Sequence, residues 1–561
     1  MKKNRFYAAL CAGLLTVAGT AALPAASAVS VCAADSAVSG ECGEHAVWNY
    51  DPDTCALTIS GSGKMTEFGG SSRIPWASFR SEIKTVTIAD GITSICSSAF
   101  FQCTALTSVT LSDSITEIGS GAFHYCRALT SVRLPANLIK IGREAFAACH
   151  ALEQIDLPAG VQSIARDALS PCGSLTAINA DAANPYFSSQ DGVLFNDDMT
   201  RLLQYPSGKA DLTYTIPESV TEIEDYAFYM AQVLEQVTVP ASITVIPEYC
   251  FASCEKLNAV NLPDTLDRIE STGFYHCTKL TRVDLPESLT YIGSLSFARC
   301  TKLAEVTIPK AATYIGGSAF DETAWIDALR EENPVIIING VLVDARKDSG
   351  ETFTVPDSVH MISGYAFIFR DDLKEIIIPD SVKIVGEWAF EDCFALEQVT
   401  LPASVEEIGN GAFQKCAALK SITVENKDCK ISNSPATVSN GVSEDTGDYY
   451  FDGTVCGYRN STAQVYAERW GYRFEPLDQE VTGDLNSDGK VGAEDAQMAL
   501  QAYVNTLAGK PSGLTDAQKA AADITKDGKV DAVDAQIILQ YYVNGLAGKV
   551  IPWETLVRNT K

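Results

Sequence analysis

Two short stretches near the end of the chain place oxygen-bearing side chains at alternate positions, a spacing suited to a hard cation. In the first, Asp484, Asn486, Asp488 and Asp495 stand at loop positions 1, 3, 5 and 12. Lys490 falls at position 7, where a backbone carbonyl turns inward, and Gly489 permits the sharp bend before it. The second stretch repeats the scheme 39 residues later, with Asp523, Thr525, Asp527, Lys529 and Asp534 arranged around Gly528. Ca2+ takes about six to eight oxygen ligands, and alternate residues of a tight loop can all face one ion. Two bound Ca2+ ions are therefore expected. Thr525 offers only a neutral hydroxyl where such loops use Asn or Asp, so the second site is expected to be the weaker.

A helix is expected after each loop, and the two helices agree residue by residue. Asp495-Ala496-Gln497 matches Asp534-Ala535-Gln536, Leu500-Gln501 matches Leu539-Gln540, and Tyr503-Val504-Asn505 matches Tyr542-Val543-Asn544. Leu507-Ala508-Gly509-Lys510 likewise matches Leu546-Ala547-Gly548-Lys549. A single loop of this kind is a weak signal, but a tandem pair with matching helices is a strong one. Residues 483–549 resemble a type I dockerin, in which Asp rather than Glu closes each loop. The resemblance implies a small all-α module whose partner is the cohesin module of a scaffoldin. Ala493, Glu494, Gln497, Leu500 and Gln501 in one half would face the cohesin, with Ala532, Val533, Gln536, Leu539 and Gln540 in the other. The pseudo-twofold repeat implies that either half can dock. The pairs Ala493-Glu494 and Ala532-Val533 differ, so the two modes need not be equal in strength.

No further catalytic constellation stands out. The five histidines (His45, His124, His150, His276 and His360) form no H-x-x-x-H, and neither a G-x-S-x-G elbow nor a Walker loop is present. Carboxylates are plentiful, but scattered acids are usually solvated faces. With a formal net charge of −29, nucleic acid and anionic membrane surfaces are poor partners. A non-catalytic chain is the expected reading. The alternative is a polysaccharide-degrading (glycoside hydrolase) or proteolytic enzyme with its site in the middle of the chain, since dockerin-bearing chains of known role are mostly glycoside hydrolases.

The bulk of the chain that must carry this module is a repeat. From Leu106 it reads LTSVTLSDSITEIGSGAFHYCRA, then LTSVRLPANLIKIGREAFAACHA, then LEQIDLPAGVQSIARDALSPCGS, 23 residues each. One phase holds Phe100, Phe123, Phe146, Leu169, Phe228, Phe251, Phe274, Phe297, Phe320, Phe367, Phe390 and Phe413. Another holds Cys103, Cys126, Cys149, Cys172, Cys254, Cys277, Cys300, Cys393 and Cys416. A cysteine fixed to one phase reads as a small buried hydrophobe. Cys32, Cys42, Cys55, Cys429 and Cys456 lie outside the ladder and leave room for one or two disulfides that the spacing does not assign. One unit cannot bury its apolar residues alone, so stacked units must share a continuous core. At about 4.8 Å per stacked strand, twelve to fourteen coils give a rod roughly 60 Å long.

The L-x-x-V-x-[LI]-P strand, the I-G turn and the A-F-x-x-C close resemble the BspA-like class of leucine-rich repeat. That resemblance implies a right-handed solenoid of short parallel strands, turns and short helical segments, with a parallel sheet along one side. The repeats span residues 81–424, with hairpin insertions near 179–210 and 321–350 around Asp191-Gly192 and Asn339-Gly340. Residues 35–80 and 425–477 read as caps, 478–482 as a linker and 550–561 as a tail. The outward strand positions, from Thr110, Arg133 and Asp156 to Ile377, Thr400 and Thr423, include no aromatic residue. A glycan platform on that face is unsupported, and a protein or cell-surface ligand is expected instead.

The first residues, Met1-Lys2-Lys3-Asn4-Arg5, precede an apolar stretch and Ala26-Ser27-Ala28, the pattern of a secretory signal peptide. It is expected over residues 1–28, with cleavage as late as 34 as the alternative. No apolar run is long enough to span a bilayer. An extracellular protein is expected and, through the dockerin resemblance, one on the cell-surface cellulosome of an anaerobic Gram-positive bacterium that degrades plant polysaccharide.

Overall fold

A computed structural model of the chain describes residues 38–478 and 481–560. The expected signal peptide, Cys32 and part of the linker lie outside them. Most coils alternate exposed and buried residues along a short strand, as in Ser108–Leu111, where Val109 and Leu111 turn inward. Thr85–Ile88 pairs with this strand in parallel, Thr85 opposite Ser108 and Ile88 opposite Leu111, so the register equals the repeat.

The expected parallel solenoid forms, and its coils stack in two columns of parallel strands. The second column is built from pairs such as Glu117–Ile118 and Lys140–Ile141, also parallel and also one repeat apart. Ile118 and Ile141 are buried. Their backbone polar groups leave water with them and must pair with the neighbouring coils. The turns of the third side are tied in the same way. Phe100 N donates to Ala122 O (2.7 Å) and Phe123 N to Ala145 O (2.7 Å) without any strand forming.

The phenylalanines form a stack inside the rod. Consecutive ring centroids lie 4.8–5.3 Å apart with interplanar angles of 3–26°. Trp76 continues this stack into the front cap (5.9 Å, 19°) and donates its Nε1–H to Ala99 O. Where Leu169 interrupts the ladder, Tyr205 from the first insertion stacks on Phe228 (5.1 Å, 24°) and restores it. The ladder cysteines do more than fill space. From Cys126 to Cys416, eight thiols each donate to the carbonyl of the phenylalanine in the preceding coil, at 3.0–3.2 Å. At this phase Arg370 replaces Cys after the second insertion. It is buried and donates to Ala345 O and Gly350 O.

The first insertion folds as antiparallel strands Phe187–Gln190, Val193–Asn196 and Arg201–Gln204, the last joining the short-strand column beside Glu222–Ile223. The second adds helix α1 (Ala324–Glu332) and a hairpin of Ile336–Ile338 with Val341–Asp344. The core is divided where these strands cross it. Leu194 faces the front segment while Val193 and Phe195 face the middle one, as alternation along a strand requires. Four charged groups secure the second insertion: Arg330 and Arg346 each contact both Asp321 and Asp344.

Each end of the rod is covered. The front cap is a three-stranded antiparallel sheet whose last strand, Ala56–Lys64, pairs in parallel with the first coil. At the back, Thr454–Gly457 and Arg473–Pro476 extend the strand column, and helix α2 (Thr462–Trp470) closes the core. Ser461 caps α2 at its start, and Gly471, at φ 72°, ends it. No helix among the described residues is long and apolar enough to cross a membrane.

Candidate cation and docking module

The last part of the chain folds as helices α3 (Ala493–Leu507), α4 (Asp516–Ala522), α5 (Ala532–Leu546) and α6 (Trp553–Asn559). Residues 550–561 were expected to be a tail beyond the module; over its described length this segment is instead part of it. Leu556 is buried in the module's core, and the Trp553 ring stacks on Tyr541 at 4.1 Å and 10°. Gly483, at φ 90°, leaves room for that ring, since a Cβ there would stand 2.7 Å from it. Trp553 and Leu556 are an i, i+3 pair too short to register as an amphipathic helix in the sequence.

The two loops are near copies. In the first, Asp484 accepts from Asp488 N (3.2 Å) and Gly489 N (2.8 Å), and Asp488 accepts from Lys490 N (2.8 Å). In the second, Asp523 accepts from Asp527 N (3.1 Å) and Gly528 N (2.8 Å), and Asp527 accepts from Lys529 N (2.9 Å). Gly489 and Gly528 take φ of 82° and 84°, a conformation that costs glycine nothing. Asn486 accepts from Asp488 N at 3.0 Å, while Thr525 only approaches Asp523 at 3.5 Å.

Each loop closes on an aspartate in the first turn of the next helix. Asp495 accepts from Leu485 N, Asn486 N and Gly492 N, and Asp534 from Thr525 N and Asp531 N. Both are fully buried. Neither has an ion-pair partner among the described residues, and an uncompensated buried carboxylate is costly. Burial pushes the Asp484 carboxyl up, and the neighbouring Asp495 and Asp488 charges add to that. Burial likewise pushes Asp534 up.

Among the described residues no three carboxylate, histidine or cysteine side chains converge at metal-binding distance. The loop carboxylates lie on backbone N–H groups instead, and gathering an ion requires them to swing inward. The donor set nonetheless fits one cation class. It is all oxygen, its residues stand at the loop positions an ion needs, and it carries buried negative charge without a counterion among the described residues. That chemistry suits Ca2+ and excludes softer metals that prefer nitrogen or sulfur.

Helices α3 and α5 pack against each other and leave equivalent stripes in solvent. Ala493, Glu494, Gln497, Leu500 and Gln501 are exposed in one half, as are Ala532, Val533, Gln536 and Leu539 in the other, while Gln540 is half-buried. The structure adds residues that sequence reasoning missed. Val504 and Leu507 continue the first stripe, and Val543 and Leu546 the second, with Leu507 69% and Leu546 71% exposed. Spacings of four and three residues after Leu500 and Leu539 were the available signal.

His124 stacks on Tyr125 and pairs with Glu144, and the outward strand positions Thr110, Asp156, Asn261, Asp284 and Thr400 point to solvent.

A solenoid of 23-residue coils with a duplicated loop-and-helix module behind it defines a class of repeat protein. The sequence profile of the BspA type leucine-rich repeat region matches residues 74–190, 212–338 and 346–436, and the chain belongs to that family. The type I dockerin domain profile matches residues 482–542, and the chain carries that module. Similar solved structures include a leucine-rich repeat protein from Eubacterium ventriosum, 23% identical, covering 52% of this chain and 96% of that one at TM-score 0.40. A leucine-rich repeat protein from Bacteroides ovatus is 22% identical over 78% of this chain and 99% of that one, at TM-score 0.29. The pneumococcal vaccine antigen PcpA is 16% identical over 79% and 99%, at TM-score 0.34. None of the curated proteins compared matches the chain.

Proposed function

We propose that this chain is a secreted, non-catalytic interaction protein that its dockerin fastens to a cohesin-bearing scaffoldin in a Ca2+-dependent way. The repeats are then free to bind a protein or cell-surface ligand. Both families are non-catalytic, and a dockerin implies attachment to a cellulosome through a cohesin. The observation that carries the reading is the duplicated module: two loops of matching geometry, each setting a helix whose exposed stripe repeats in the other half.

In this reading Asp484, Asn486, Asp488, Lys490 and Asp495 hold one Ca2+ ion, and Asp523, Thr525, Asp527, Lys529 and Asp534 hold the second. The ions neutralise the buried charge of Asp495 and Asp534 and fix the angle at which α3 and α5 leave their loops. The setting we infer is the cell-surface cellulosome of an anaerobic Gram-positive bacterium degrading plant polysaccharide, with the signal peptide at residues 1–28 providing export. Calorimetric titration of the full chain with a panel of type I cohesins tests this, with Ca2+ and with EDTA. Binding in Ca2+ that vanishes in chelator supports the reading. Binding to no cohesin, or equal binding in both buffers, overturns it.

A further inference from the structure

The chain carries 71 acidic against 42 basic residues, so a surface with cations and no acids stands out. One exists on the turn side of the first coils. A shallow groove of about 520 Å3 is lined by Arg80, Ser81, Gln102, Thr104, Tyr125 and Arg127, together with one alanine. No carboxylate lines it. Arg80 sits over the Phe101 ring (5.9 Å) and Arg127 over the Tyr125 ring (5.3 Å). The Phe101 and Tyr125 rings meet edge to face at 6.0 Å. Neither arginine has a carboxylate partner among the described residues, unlike Arg133, Arg143, Arg282 and Arg330, which all have one. A guanidinium held against a ring face keeps its in-plane N–H donors available, and those donors match a carboxylate fork.

The kind of anion follows from what the groove lacks. Peptide docking by strand addition or by apolar anchors needs free backbone or deep pockets, and the remaining mode, an acidic peptide held by arginines alone, is separated by the pentaglutamate comparison below. Here the backbone is already used, since Gln102 N donates to His124 O, Tyr125 N to Ala147 O and Arg127 N to Tyr125 O. The walls are polar and shallow, with hydroxyl and amide groups at Ser81, Gln102 and Thr104 and the half-buried Tyr125 ring, which Phe101 backs edge to face. Carboxylates, many hydroxyls and flat C–H faces occur together in acidic sugars.

We infer that this groove binds an oligosaccharide of hexuronic acids, with Arg80 and Arg127 taking its carboxylates and the Tyr125 ring contacting its sugar rings. The site is independent of the dockerin and lies on the turn side, away from the strand face whose outward positions lack aromatics.

The test is calorimetric titration of the full chain with tetragalacturonic acid, in EDTA so that the Ca2+ loops cannot bridge the ligand. Cellotetraose, a pentaglutamate peptide and sodium sulfate serve as comparison probes. The expected result is saturable binding of the uronate, with no detectable binding of cellotetraose. Arg80→Gln and Arg127→Gln should each weaken it at least tenfold, and Arg127→Lys, which keeps charge but not the fork, should weaken it less. Lys302→Gln, which removes one exposed charge elsewhere, should change nothing, and all variants should melt with the unaltered chain. Equal affinity for pentaglutamate overturns the inference in favour of a peptide site. Equal competition by sulfate reduces it to adventitious anion binding and overturns it as well. So does unaltered uronate binding by both glutamine variants.

Discussion

The thiol of Cys126 donates to the carbonyl oxygen of Phe100 across 3.2 Å, bonding one coil to the coil before it. This pairing recurs along the rod and explains why the phase prefers cysteine to another small apolar residue. The Phe100 carbonyl already accepts from Cys103 N in its own coil (3.1 Å), and the thiol adds a second donor on its other lone pair, which alanine or valine cannot supply.

Cys126→Ala removes one of the two hydrogen bonds to that carbonyl and should cost about 0.5–1.5 kcal/mol from that loss. Cys126→Ser keeps a donor and should cost less. Urea unfolding of the two variants measures the difference, and equal losses would mean that volume alone matters at this phase.

The ladder thiols should also be chemically silent. Burial pushes both Cys103 and Cys254 up to about 12, so at pH 8 neither is a thiolate. A thiol reagent added to the native protein at that pH should leave both unmodified, and both should react once urea unfolds the rod. Mass spectrometry of digested peptides reads the result. Rapid labelling of the native protein would show that the coils open.

The charged lock on the second insertion should make that segment acid-sensitive. Burial pushes the Asp321 carboxyl up, but Arg346 and Arg330 outweigh it and hold it well below the usual carboxylate range. Its folded value is thus lower than the unfolded value of about 3.9. The stabilisation is complete above that pH and is lost as the pH falls through the folded value. Hydrogen exchange of α1 should rise below about pH 4 before the Phe390 and Phe413 coils loosen. Arg346→Ala, which leaves Asp344 buried and short of a partner, should cost about 3–5 kcal/mol.

Calcium binding should be unequal. Calorimetry of the full chain should show two sites, the second weaker because Thr525 supplies a neutral hydroxyl. Thr525→Asn should tighten it, and two equal sites in the unaltered chain would contradict this. Removing Ca2+ should raise hydrogen exchange across Ala493–Leu507 and Ala532–Leu546 together.

Docking through either half predicts that damage to one stripe is tolerated. Leu500→Asp or Leu539→Asp alone should cost less than about tenfold in cohesin affinity, and the double variant at least about a hundredfold. A full loss from one single variant would show that only that half docks.

Much of this protein was set at the level of local pattern. Twelve aromatic or aliphatic residues at one 23-residue phase require stacked coils, because Phe123 or Phe146 has no burial site within its own unit. The loop aspartates were legible for a similar reason, since ion-binding loops impose spacing within a dozen residues. What folding alone decided depends on partners distant in sequence. The two strand columns arise because Ile118 carries its backbone into the core beside Ile141. Trp553 joins the dockerin because Gly483, seventy residues earlier, leaves it space. Arg80 meets Phe101, and the Phe101 ring meets Tyr125, only once the coils stack. Periodicity records what each unit must bury; which side chains share a surface depends on how neighbouring coils turn, and no single repeat encodes that.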